Sequence, residues 1–173
     1  MAGRRLWRGE SGCRAREEPR SRGEGVARPA EGTARRVLVI DDERTIRLLC
    51  RVNLAASGMD VIEAADGRSG IELARKERPD LVLLVVMMPD VDGWTVAREL
   101  AKDERTRDIP VVFLTARADP ADRRLGGQLG GVGYLVKPFD PVAISGVIED
   151  VLARIERGER EQLRRDISSA ADR

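Results

Sequence analysis

Residues 81–86 read LVLLVV, six aliphatic side chains in a row between Pro79-Asp80 and Met87-Met88-Pro89. A strand with one wet face alternates apolar and polar residues. An unbroken run is covered on both faces, which is the habit of parallel sheets layered between helices. Shorter runs repeat the pattern, VLVI at 37–40 and PVVFL at 110–114. The segments between them carry helical spacing instead. Ile46, Leu49, Val52 and Leu54 mark a helix over 45–56, which Ser57-Gly58 closes. Ile71, Leu73 and Ala74 mark a second over 67–77, stopped before Pro79.

The rest of the chain continues the alternation. A strand is expected over 60–64, a helix over 94–102, and a weak helix over 119–129 that contains Gly126-Gly127. A strand over 134–136 follows. Asp140 is then expected to cap a long helix, with Pro141 at its first position, ending near Glu156. Five strand–helix alternations define an α/β fold. With right-handed crossovers and one reversal of winding, the expectation is a flavodoxin-like, doubly wound, five-stranded parallel sheet in order 2-1-3-4-5, with helices on both faces. The domain should occupy 36–157. A tail (1–35) precedes it and a charged extension (158–173) follows, either helical or a frayed tail.

Charge separates the tail from the domain. Residues 1–36 hold ten Arg and five Glu, a net +5, whereas the remainder carries −4. The segment has too few apolar residues to offset chain entropy, so a solvated basic tail is expected. Nucleic-acid binding through it is a reading from composition alone. Arg4-Arg5 has no apolar stretch behind it, which argues against a secretory signal. No apolar run reaches the roughly 20 residues that span a bilayer, so no membrane partner is expected. Cys13 and Cys50 sit in unrelated contexts, which fits a reducing cytoplasm. The chain has no His, which removes the commonest general base and metal ligand. Its 28 Arg against three Lys suggest a GC-rich bacterial genome, and make any Lys in a site conspicuous.

Ligands of doubly wound sheets bind outside the carboxyl ends of the strands, where the winding reverses. The residues there are Asp41 and Asp42 after the first strand, Val85 to Met87 at the third, Thr115 after the fourth and Lys137-Pro138 after the fifth. Singly, each has an ordinary explanation: acids and hydroxyls cap helices, and lysines sit in solvent. Together they resemble a phosphoryl site, in which adjacent carboxylates suit Mg²⁺ and a hydroxyl and an ammonium suit phosphate oxygens.

Residues 36–157 resemble the receiver domain of two-component response regulators, in particular its stand-alone, chemotaxis-type form. The motifs are VLVIDDE (37–43), PDLVLL followed by MMPDVDG (79–93), PVVFLTA (110–116) and YLVKPF (134–139). The resemblance implies Mg²⁺ on Asp41, Asp42 and the backbone carbonyl of Met87. It implies phosphoryl contacts from Thr115 and Lys137, an aromatic switch at Tyr134 coupled to Thr115, and a cis peptide between Lys137 and Pro138. It also implies an aspartate as phosphoacceptor where this chain has Val85, 30 residues before Thr115. Valine offers no nucleophilic oxygen.

The expectation is therefore a single-domain, pseudo-receiver signalling protein of a phosphorelay, not an enzyme. It would act by protein–protein contact without phosphorylation at Val85, and Mg²⁺ would bind weakly. Partners would be a histidine kinase or a downstream signalling protein. A homodimer could form through Asp119–Leu129, Tyr134–Val136 and Pro141–Glu156. Too few residues follow the last helix for a DNA-binding module, so direct transcriptional control is set aside. Two alternatives stay open: a receiver phosphorylated on Asp90 or Asp92, and a Mg²⁺-dependent phosphatase with Asp41 as nucleophile.

Overall fold

The computed structural model describes residues 34–116 and 119–169. Residues 1–33 of the basic tail, with Cys13, lie outside them. In chain order the elements are β1 (Arg36–Ile40), α1 (Arg44–Ala56), β2 (Asp60–Ala64), α2 (Gly67–Glu77), β3 (Leu81–Val85), α3 (Gly93–Lys102), β4 (Val111–Thr115), α4 (Pro120–Gln128), β5 (Gly131–Val136), α5 (Ala143–Glu156) and α6 (Arg160–Ser169). The strands form one parallel sheet in the order β2-β1-β3-β4-β5, with helices around it.

The continuous aliphatic runs divide by parity between two apolar layers. Val37, Val39, Leu81, Leu83, Val85, Val112 and Leu114 join Cys50 and Leu54 of α1 and Ile144, Ile148 and Val151 of α5. Leu38, Ile40, Val82, Leu84, Val111 and Phe113 join Ala74 of α2 and Val96, Ala97 and Leu100 of α3. Side chains of successive strand residues point to opposite faces, so a run without a polar member is what two covered faces require.

Several boundaries differ from expectation. β5 begins at Gly131, three residues earlier than expected: Gly131 and Gly133 carry no strand signal in the sequence, and pairing with Val111 and Val112 of β4, across a register shift, draws them into the strand. Asp140 does not cap α5. Its Oδ1 accepts from Val142 N at 2.9 Å in a turn, and the helix starts at Ala143. Over Arg160–Ser169 the charged extension takes the helical of its two expected forms. α6 packs on α4 and β5, with Leu163 and Ile167 buried.

One glycine is fixed by a close approach. A Cβ on Gly93, the first residue of α3, would lie 2.3 Å from the backbone oxygen of Val85. The turn from β3 to α3 thus closes directly over the strand end, and Gly93 N donates to Val86 O at 2.8 Å. Gly93→Ala should lower stability by about 1–3 kcal/mol, as overpacking does, read as a shift in the denaturation midpoint.

Candidate functional site

The ends of β1, β3, β4 and β5 bring the expected residues to one edge of the sheet. Asp41 follows β1 and is fully buried; Asp42 beside it is exposed. Asp41 Oδ1 accepts from Glu43 N at 2.8 Å, and Asp41 Oδ2 receives Lys137 Nζ at 3.2 Å. Lys137 also reaches Glu43 Oε1 at 3.3 Å. Both oxygens of Asp41 therefore have protein donors. Arg47 of α1 secures the same loop, donating to the carbonyls of Asp41 at 2.7 Å and Asp42 at 3.0 Å.

Burial dominates the ionisation of Asp41 and raises its carboxyl above the ordinary value, against the Glu43 amide and Lys137, which pull it down. Burial also pulls the Lys137 ammonium down, but Asp41 and Glu43 outweigh it and hold Lys137 above its ordinary value. Lys137 gains from the pair while Asp41 still bears a desolvation penalty that the pair offsets only in part. Cys50, beneath in α1, has its thiol pushed up to about 11, by burial first and by Asp41 next, so it packs as a small apolar group.

Val85 ends β3 with 4 % exposure, among the apolar residues of the α1/α5 layer. Ile40 pairs with Leu84 across β1 and β3, so Asp41 and Val85 follow that pair on neighbouring strands. Thr115 ends β4, buried, and its carbonyl accepts from Lys137 N at 2.7 Å. Met87 lies on the exposed loop past β3. The Lys137–Pro138 peptide is cis. Asp90 has a left-handed backbone (φ 67°) on the outer loop, and Asp92 is occupied as the N-cap of α3, its Oδ1 accepting from Thr95 N at 2.8 Å.

Tyr134 on β5 lies against the sheet. Its ring centroid is 5.2 Å from that of Phe113, and its hydroxyl donates to Asp122 O of α4 at 2.6 Å. Arg123 sits 5.8 Å from the ring centroid. Burial, with the Asp122 charge second, raises the phenol well above its ordinary value.

The structure brings Asp41, Glu43 and Lys137 into contact and sets Val85 and Thr115 at neighbouring strand ends, whereas Tyr134 lies on β5 against Phe113 and α4, and Met87, Asp90 and Asp92 lie on the loop after β3. Glu43 and Arg47 had no assigned role. The signal for Glu43 was the third acid of the DDE run; Arg47 was hidden among many arginines. Among the described residues, no group of three His, Cys, Asp or Glu side chains is placed to hold a metal. With both Asp41 oxygens engaged, the donor set fits a firmly held Mg²⁺ poorly.

The comparisons agree on the family. A model of the response regulator receiver domain matches residues 37–149. A probable transcriptional regulator (ycf27) of Porphyridium aerugineum is 43% identical over 122 residues, 70% of this chain and 50% of the relative. The DNA-binding dual master transcriptional regulator RpaA of Synechocystis is 45% identical over 120 residues, 69% of this chain and 47% of the relative. The chain thus spans about half the length of these curated relatives. The chemotaxis protein CheY4 of Vibrio cholerae superposes with a TM-score of 0.66 at 30% identity, covering 68% of this chain and 98% of that one.

These relatives correct the partner expectation. Setting DNA-binding output aside does not hold in a family whose similar members are transcriptional regulators, one of them named as DNA-binding. The expected dimer face is also not open as drawn, since α6 packs on α4 and β5. Among the described residues no helix is long and apolar enough to cross a membrane. Fold, motif order and sequence similarity converge: the chain belongs to the family of response regulator receiver domains of two-component systems.

Proposed function

We propose that this chain is a cytoplasmic receiver domain that signals without accepting phosphate at the end of β3. The carrying observation is Val85, a buried side chain without a nucleophilic atom at the strand end where the family resemblance asks for an aspartate. The Lys137–Asp41–Glu43 cluster supports the reading. The ammonium that would meet a phosphoryl oxygen is already engaged by two carboxylates. The same cluster supports weak Mg²⁺ binding, because a cation would displace Lys137 from Asp41. By the family resemblance, Thr115 and Tyr134 would serve as the switch pair.

The alternatives have less support. Asp92 spends its carboxylate on capping α3, and Asp90 sits on the outer loop. Asp41 as a phosphatase nucleophile would have to attack from a buried ion pair. The test is incubation of the full chain with Mg²⁺ and a small acyl phosphate, read by intact mass. Unchanged mass is expected. Base-labile phosphate on the chain would refute the proposal, and mapping it to Asp90 or Asp92 would establish the substitute acceptor.

A further inference from the structure

α4 is a poor helix by itself. It has nine residues, and Gly126-Gly127 stand in its last turn. A helix this short is marginal in water, and glycine weakens it further. The two glycines face two different neighbours. A Cβ on Gly126 would lie 2.0 Å from the Tyr134 hydroxyl oxygen, so only a bare backbone admits the ring there. A Cβ on Gly127 would lie 2.6 Å from Ser168 Oγ and 3.3 Å from Arg164 O, both on α6. One turn of α4 is thus pressed between the tyrosine and the C-terminal helix.

α6 is attached in a way that permits release. It follows a turn at Gly158, where φ is 81°, and it buries only Leu163 and Ile167. Leu163 enters the layer that holds Val132, Ile148, Val151 and Leu152. Arg154 pairs with Asp166 at 2.9 Å, and Arg160 donates to Asp108 O at 2.7 Å. Against these, docking buries the Nε atoms of Arg160 and Arg164 with no protein hydrogen-bond partner among the described residues. Unsatisfied buried donors weaken a seat that two apolar side chains hold.

We propose that α6 is a positioning lever for Tyr134. Seated on Gly127, it fixes α4, and α4 holds the tyrosine against the sheet through Asp122 O and the space above Gly126. Whatever draws α6 away loosens α4 and frees the ring. The input for Tyr134 is then the C-terminal helix. The inference does not use Val85, and a phosphorylated chain would leave it standing.

Tyr134 is the only tyrosine of the chain, so one fluorotyrosine label reports it alone. The full chain is compared with Leu163→Asp, which unseats α6, and with Gly127→Leu, which blocks the seat while giving α4 a better helix former. In both variants the fluorine resonance is expected to move toward the value of exposed fluorotyrosine. Amides of α4 and α6 should exchange at least tenfold faster, while β1 and β3 stay protected. Faster exchange of α4 in Gly127→Leu separates seating from helix propensity, which alone would slow it. Loss of α6 protection with an unmoved fluorine signal overturns the proposal. So does an α6 that stays protected in both variants. If Leu163→Asp also exposes the sheet, the milder Ile167→Ala decides by the same two readings.

Discussion

Lys137→Met is expected to lower stability by about 3 kcal/mol at neutral pH, because breaking a buried pair leaves the other charge unpaired. Asp41 is fully buried, and the Lys137 side chain is only 20 % exposed. Methionine keeps most of the volume and removes the charge, so the effect reads the pairing more than the packing. The pH dependence identifies the carboxylate. Asp41 already titrates above its ordinary 3.8 in the folded chain, and loss of the ammonium raises it further. A carboxyl raised by folding binds its proton more tightly in the native state, so its penalty is absent below the ordinary value and full above the raised one. The gap between variant and wild type should therefore be widest at neutral pH and shrink as pH falls toward 4. Chemical denaturation at several pH values measures it. A gap that is constant with pH would assign the loss to packing and remove Asp41 from the account.

Val85→Asp should have the next largest effect. Without Mg²⁺ it places a third carboxylate beside Asp41 at a position with 4 % exposure, in place of a β-branched residue suited to a strand. Partial repair by Lys137 leaves an expected loss of about 2 kcal/mol, or roughly 4–8 °C in melting temperature for a chain of this size. Mg²⁺ should then raise the melting temperature of the variant and leave wild type nearly unchanged, because only the variant has the carboxylates that reward the ion. A variant that melts higher than wild type without Mg²⁺ would contradict this expectation.

Much of this architecture was legible in the sequence for a physical reason. Apolar runs such as LVLLVV have no polar side because both faces are covered, and Val85 lies inside one of them. The site was legible because strand ends converge where the sheet's winding reverses, which assembles Asp41, Thr115 and Lys137 from distant segments. What escaped reading was structure made by backbone or by context. Gly131 and Gly133 give no strand signal, yet they extend β5. α6 shows only Leu163 and Ile167 as an apolar stripe in a charged segment, too little to announce a packed helix. Asp140 and Pro141 have the composition of a helix start, but the carboxylate closes a turn with Val142 N and the helix starts at Ala143. Gly126-Gly127 read as weakness alone; their contacts with Tyr134 and α6 depend on tertiary packing.

The crevice of this receiver is expected not to respond to phosphoryl donors. Two-dimensional amide NMR of the full chain in constant Mg²⁺, before and after addition of an acyl phosphate, addresses this most directly because it also reports binding that leaves no covalent mark. Unchanged resonances for Asp41, Val85, Thr115, Tyr134 and Lys137 are the predicted result. Concerted, donor-dependent shifts running from the Val85 loop to Thr115 and Tyr134 would contradict it.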